Sequence, residues 1–200
     1  DETLAAAAEL ARRLGVGVHV HVAEAVDDAA AGARLEPHAA EDWLLVHCVH
    51  LDRHLPGRVA HNPRSNMKNA VGYARPTTRR NRVVLGSDGI GSDMMEEARL
   101  AFARLCESEP HASATTVGEW VEASRDAFPE SRADRVTWTY DHADDPWRTA
   151  YTTGMRALRV EVDGEKVLED GRPTRVDVDE VRAKAAIAAR ALHARMEERR

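Results

Sequence analysis

His19-Val20-His21-Val22-Ala23-Glu24 decides how the chain is read, because a β-branched apolar run there ends in groups that hold metals and move protons. The pattern returns three times, in Val46-His47-Cys48-Val49-His50, in His61-Asn62-Pro63-Arg64-Ser65-Asn66 and in Gly86-Ser87-Asp88-Gly89. Each polar group stands at or just beyond the end of a short apolar run. Metal-ligand and acid–base side chains recurring at strand ends are the layout of a metal site at the mouth of a parallel barrel.

Alternate residues of a strand share a face. His19 and His21 therefore project together, with Val18, Val20 and Val22 on the opposite side, and one or both histidines can reach a metal. Two hydrogen-bonded core histidines are the plainer reading of the pair alone; it loses ground once Glu24, His47 and Asp88 are counted. His47 ends a strictly apolar strand, where its ring must turn into a polar mouth or stay unsatisfied. His61 opens the next loop. Its neighbours Asn62, Ser65 and Asn66 are compact hydrogen-bonding groups that either orient a polar heterocycle or build an Asx-type turn around Pro63. Asp88 follows a buried run, and a carboxylate there is costly unless it meets a metal or a donor. Gly86 and Gly89 on either side allow close backbone approach. Asp93 suits a helix N-cap better than catalysis, and Asp141, His142, Asp144 and Asp145 read as a solvated turn before Pro146.

The remaining chain alternates strand and helix. Leu4, Ala7, Ala8, Ala11 and Leu14 fall at helical spacing, and Gly15 ends that helix. Strands are expected at 16–22, 43–46, 58–60 and 82–85. Met95, Ala98, Phe102 and Leu105 mark a helix after the fourth strand, and Thr116 with Glu119 suggests a capping box for the next. Residues 136–140, 158–162 and 166–168 look like strands of a small β unit turning at Asp163-Gly164. Val181, Ala185, Ala188, Leu192 and Met196 mark an amphipathic last helix. The division implied is a partial barrel over 1–130, a small β segment over 131–175 and a terminal helix over 176–200.

Composition narrows the function classes. Two hundred residues bury one good core, with room for a small appendage. No apolar run approaches the ~20 residues of a membrane span, so no membrane partner is expected and the cytoplasm is the default setting. Cys48 and Cys106 are isolated, which indicates two small buried hydrophobes rather than a disulfide or a thiolate zinc site. A net charge of -6 argues against nucleic acid as a partner, and Arg79-Arg80-Asn81-Arg82 reads as a solvated connection.

Geometry argues against a complete barrel. A parallel crossover takes about a dozen residues, yet only Leu51 to Gly57 separate His50 from the strand entering His61. The stretch between Tyr73 and Arg82 is similarly cramped. A full barrel runs to ~250 residues. The expectation is a partial record of a longer protein, lacking an N-terminal half and some connecting helices, with the short link appearing as a break or as an extended segment.

Taken in order, the four motifs resemble the amidohydrolase superfamily, and within it the aminohydrolases that deaminate purines, pterins and related rings. The phrases from His61 to Gly72 and from Gly86 to Met94 look most like the SsnA-type aminohydrolases. The resemblance is tightest over 17–94 and looser to the C-terminus. It implies an α/β fold, the C-terminal half of a metal-dependent-hydrolase (β/α)8 TIM-like barrel with part of a small β-sandwich domain and a C-terminal helix. It implies that His21 is a metal ligand, that Glu24 shuttles protons, and that His47 contacts the substrate and the activated water. Asp88 would both ligate the metal and accept the water's proton. The implied cofactor is one divalent ion, zinc first and iron next, which lowers the pKa of bound water from about 15.7 to near 7. The implied partner is a small heterocycle held by His61, Asn62, Ser65 and Asn66, in a protein for which a homodimer stays open. Two other classes stay open: a hydrolase of a non-amino leaving group, and a non-catalytic half-barrel that needs a partner segment.

Overall fold

The structure is a computed structural model describing residues 2–91 and 93–199; Ser92, within the fourth motif's extension, lies outside the described residues. It divides into two units, Asp1–Pro129 with His142–Thr153, and Glu130–Asp141 with Gly154–Arg200.

In the first unit, α1 (Glu2–Leu14) turns Ala8 and Ala11 inward, and Gly15, at φ +66°, ends it in the left-handed conformation open to glycine. Leu14, assigned to the same stripe by spacing, is instead exposed. The chain continues through β1 (His19–Val22), α2 (Ala31–Leu35), β2 (Leu44–His47), β3 (Arg58–His61), α3 (Pro63–Lys68) and β4 (Val83–Leu85). The four strands form one parallel sheet in sequence order. Its register sets His21 opposite Val46, Val46 opposite Ala60 and Ala60 opposite Val84. Strands that run the same way put all their C-terminal ends on one rim, which is how residues distant in sequence come to share a site.

One face of the sheet presents Val22, Leu45 and Val59 to a core with Ala8, Leu35 and Trp43. The other presents Val46, Ala60 and Val84, buried with Ala123. Helices α4 (Met94–Ser108) and α5 (Ala114–Ala127) bury Phe102, Leu105, Val117 and Trp120 against Val83 and Leu85. Asp93 caps α4 as expected, accepting from the N–H groups of Met95 and Glu96. The cap of α5 is Ser113 rather than Thr116, because Ser113 is extended and accepts from Thr115 N–H, so the helix begins before its apolar stripe shows. Ser124 of α5 accepts from Leu85 N–H at 2.9 Å and lies 3.0 Å from Leu85 O, covering the free edge of β4.

The link from β2 to β3 contains no helix, so the parallel pair closes through an extended segment. Asn81 makes this workable: its Nδ2 donates to Leu55 O and Gly57 O at 2.9 and 2.8 Å, satisfying carbonyls a helix would have paired. Between β3 and β4 the chain takes α3 and then a single 3-10 turn at Pro76–Thr78. The segment read as a loop or Asx turn around Pro63 is thus a short helix with proline in its first turn, a position where the missing N–H costs nothing.

One ion pair fastens α3 to α4. Arg64 Nε donates to Glu97 Oε1 at 2.7 Å, and its backbone N–H lies 3.3 Å from Oε2. Glu97 is fully buried; burial pushes its carboxyl above the ordinary range, while the bonds from Arg64 pull it back. Removing one partner of such a pair strands the other's charge. Glu97→Ala is therefore expected to lower stability by about 3–5 kcal/mol, read from urea unfolding, with a loss below about 1 kcal/mol refuting a structural role.

The second unit is an antiparallel sheet of β5 (Arg135–Trp138), β6 (Ala157–Val162), β7 (Glu165–Glu169) and β8 (Arg172–Pro173), in that order. Asp163 and Gly164 turn the β6–β7 hairpin at φ +49° and +78°, the sign a tight two-residue hairpin requires. Helix α7 (Val178–Glu197), capped by Asp177, buries none of its residues. These bounds differ from 1–130, 131–175 and 176–200: the chain returns to the first unit for 142–153, and α7 groups with the second. The return has a packing reason, since α6 (Pro146–Tyr151) sets Trp147 and Tyr151 against Phe102 with ring centroids 5.8 Å apart. Asp145, read as part of a solvated turn, caps α6. Among the described residues no helix is long and apolar enough to cross a membrane.

Candidate active site

Strand alternation holds at β1. Val18, Val20 and Val22 pack into the first core, while His19 and His21 share the exposed face. Of the two, His21 joins a cluster: His21, His47 and Asp88 offer ligand atoms all within 4.8 Å of one another. Glu24 lies beside them, its Oε2 3.5 Å from His47 Nε2, and Asp88 Oδ2 is 3.8 Å from the same nitrogen.

Alternation alone would send His47 the wrong way, since Leu45, two residues earlier, faces the helix-side core. A local turn redirects it. Cys48 N–H closes on Val46 O at 3.0 Å, a γ-turn with His47 at its centre at φ +68°. Ala23, Cys48 and Asp88 are also left-handed, at +48°, +54° and +54°. All four lie at or just past the ends of β1, β2 and β4, and each costs on the order of 1–3 kcal/mol of backbone strain unless its surroundings hold it. They do so at Ala23, whose N–H donates to Asp28 Oδ2 and whose carbonyl accepts from His50 N–H, both at 2.8 Å.

The start of the β3–β4 connection orders the cluster. Ser65 Oγ donates to Asp88 Oδ2 at 2.5 Å, and Gly89 N–H donates to Oδ1 at 2.5 Å. Those two bonds, helped by His47 and His21 against partial burial, hold the Asp88 carboxyl below the ordinary carboxylate range. His47 Nδ1 lies 2.8 Å from Asn66 Oδ1 and 3.4 Å from Asn62 Nδ2. Asn69 Nδ2 reaches Glu24 Oε1 at 3.5 Å and Ser65 Oγ at 3.3 Å. Gly86 leaves room for Asn62, since a Cβ there would lie 2.2 Å from Asn62 Oδ1; at Gly89 a Cβ would meet nothing.

The sequence expectation for His61, Asn62, Ser65 and Asn66 was contact with a substrate. In the structure all four are buried. Ser65 and Asn66 bond to Asp88 and His47, and Asn62 lies against His47. His61 is fully enclosed between the rings of Tyr73 and Trp120, at 5.8 Å from each. Burial and the nearby Arg104 push its pKa down to about 3, which keeps it neutral. Asn69 was missed. Its signal was its place four residues after Ser65, one turn on, legible only once 63–68 is known to be helical.

Of the cysteines, Cys48 is buried and burial raises its thiol to about 12, whereas Cys106 is exposed, correcting the expectation that both are buried. The basic run is not a solvated connection throughout: Arg79 bonds to the carbonyls of Cys48 and Ala74, and Arg82 pairs with Asp126.

With Asn66 Oδ1 as the nearer partner at 2.8 Å, the matching His47 tautomer carries hydrogen on Nδ1 and turns its Nε2 lone pair toward the carboxylates. Asn66→Ala is expected to cost about 1–3 kcal/mol and to mix the tautomers of His47. Imidazole 15N chemical shifts read this directly, and an unchanged Nδ1–H tautomer would count against Asn66.

The sequence profile of the amidohydrolase family matches residues 1–123. The 5-methylthioadenosine/S-adenosylhomocysteine deaminase of Desulfitobacterium hafniense is 37% identical over 116 residues, covering 46% of this chain and 27% of the relative. The enzyme of the same name from Pelotomaculum thermopropionicum is 38% identical over 125 residues, 50% of this chain and 29% of its own length. The chain thus spans less than a third of these curated relatives. Among solved structures, a zinc-bound adenosine deaminase from Xanthomonas campestris superposes with a TM-score of 0.73 at 21% identity, covering 93% of this chain and 53% of that one. Atrazine chlorohydrolase from Arthrobacter aurescens TC1 complexed with zinc gives 0.73 at 20% identity, over 93% and 51%. These two share the fold, and four parallel strands with their helices account for part of it. Strand-end ligands on one rim, and a profile match over more than half of the sequence, place the chain in the amidohydrolase family.

Proposed function

We propose that the protein is a metal-dependent aminohydrolase that removes an amino group from a purine or related nitrogen heterocycle by hydrolysis. The observation that carries this is the convergence of His21, His47 and Asp88 on one point at the sheet's C-terminal rim, with Glu24 beside them. Two imidazoles and a carboxylate make the donor set of a catalytic zinc site, three protein ligands with a further position open. When bound, the ion, zinc first and iron next, supplies a water acidic enough to ionise near neutral pH.

The chain's own residues do the rest. Glu24 stands outside the ligand group, so its carboxylate can move a proton from water to the ring nitrogen of the substrate. Asp88, held below the ordinary carboxylate range by Ser65 and Gly89, would serve as a ligand and accept the second proton of the attacking water, which passes to the departing amino group so that it leaves as ammonia. His47, its ring held through Nδ1 by Asn66, would offer its Nε2 lone pair as the second imidazole donor. Asn62, Ser65 and Asn66 act by fixing His47 and Asp88 rather than by touching the ring of the substrate. The names of the curated relatives point to an adenine nucleoside bearing a 5′ thioether, a small-molecule substrate that suits a cytoplasmic setting.

Ammonia release from adenosine, 5-methylthioadenosine and S-adenosylhomocysteine, with metal analysis of the same preparation, tests the proposal. Turnover that a chelator abolishes and zinc restores is expected. Full metal occupancy without ammonia release from any of the three would overturn it.

A further inference from the structure

The two helix-poor connections face each other across a groove of about 620 Å³, lined by 49–54 on one side and by 73–75 and 78–81 on the other. None of His21, Glu24, His47 or Asp88 lines it. Four arginines do, Arg53, Arg75, Arg79 and Arg80, against a single carboxylate, Asp52. In a chain of net charge -6 this is a local reversal of sign. Arg53 is neutralised by Asp52 at 3.1 Å and Glu36 at 2.7 Å. Among the described residues Arg75, Arg79 and Arg80 have no ion pair. Arg79 is half-buried, and its guanidinium donates to the backbone carbonyls of Ala74 and Cys48. Burial draws its pKa below the usual value with no carboxylate to restore it. The Tyr73 hydroxyl, on the same wall, is buried without a partner.

We infer that this groove is an accessory anion site that takes a phosphate-bearing small molecule, its phosphate oxygens held by Arg75, Arg79 and Arg80. Guanidinium forks match phosphate oxygens in geometry and charge, and three in one concavity with no carboxylate partner, one of them half-buried, leave their positive charge open to an anion. The volume is that of a small-molecule site, and the negative charge of the rest of the chain disfavours a polyanion that must cross it.

Pyrophosphate is the probe, titrated calorimetrically into the full chain in chloride buffer with a chelator present, so that no bound cation can capture it. A dissociation constant below about 1 mM at low salt is expected, weakening as salt rises. The variant is Arg75→Asn with Arg80→Gln; both side chains are exposed, and asparagine tolerates the left-handed backbone at residue 75, φ +47°. It should keep the melting temperature and bind at least tenfold more weakly. Absence of binding up to about 10 mM, or equal affinity in the variant, would overturn the site. So would a single-stranded oligonucleotide that binds more tightly and that pyrophosphate cannot displace. Because metal is excluded throughout, the outcome is independent of the proposed deaminase activity.

Discussion

Asp88→Ala is expected to remove bound divalent metal and the proposed deaminase turnover together. The carboxylate is one of three groups whose donor atoms converge, and a site reduced to two imidazoles would fall below the ligand count that catalytic zinc sites use. It is also the carboxylate that bonds from Ser65 and Gly89 hold below the ordinary range, fit to accept a proton, so added metal should not restore the rate. Metal analysis after dialysis is expected to show occupancy reduced at least tenfold, with ammonia release at background. Retention of full metal by a folded variant would remove Asp88 from the ligand set.

Glu24→Gln is expected to separate the two properties that Asp88→Ala loses together. Glu24 lies 3.5 Å from His47 but is not among the convergent ligands, so glutamine should leave metal content at the level of the unmodified protein. It cannot carry a proton, and loss of general acid–base catalysis at such a position lowers turnover by about 10²–10⁴-fold. The KM should change little, because the substitution keeps shape and hydrogen-bonding capacity. Turnover within threefold of the unmodified protein would end the proton-transfer role.

Much of this site was legible in the sequence because parallel strands convert a one-dimensional regularity into a shared rim. His21, Glu24, His47 and Asp88 each follow an apolar run, and β1, β2 and β4 deliver them to one place. The helix-free link between β2 and β3 was legible from its length alone. What stayed hidden depended on dihedral angles and on capping. Period-two alternation cannot foresee that His47 turns against the parity of Leu45, because the γ-turn is set by the bond from Cys48 to Val46. Asn62, Ser65 and Asn66 looked like substrate contacts because their chemistry suits a polar ring. A six-residue helix instead aims the last two at the site's own side chains. The return of 142–153 to the first unit escaped because a proline and an acidic cluster mask a short helix whose aromatic residues, Trp147 and Tyr151, find their partner in Phe102.

The left-handed residues at the rim limit how this protein can adapt to heat. Glycine in place of Ala23 would recover about 1 kcal/mol of backbone strain but delete a buried methyl group of about 0.8 kcal/mol, leaving almost no gain. At His47 and Asp88 glycine would remove the chemistry itself. Selection for a higher melting temperature therefore has no inexpensive route through the rim. It would have to work elsewhere, in the solvent-exposed α7 or the extended link between β2 and β3, and thermophilic relatives should differ there while their strand ends stay alike.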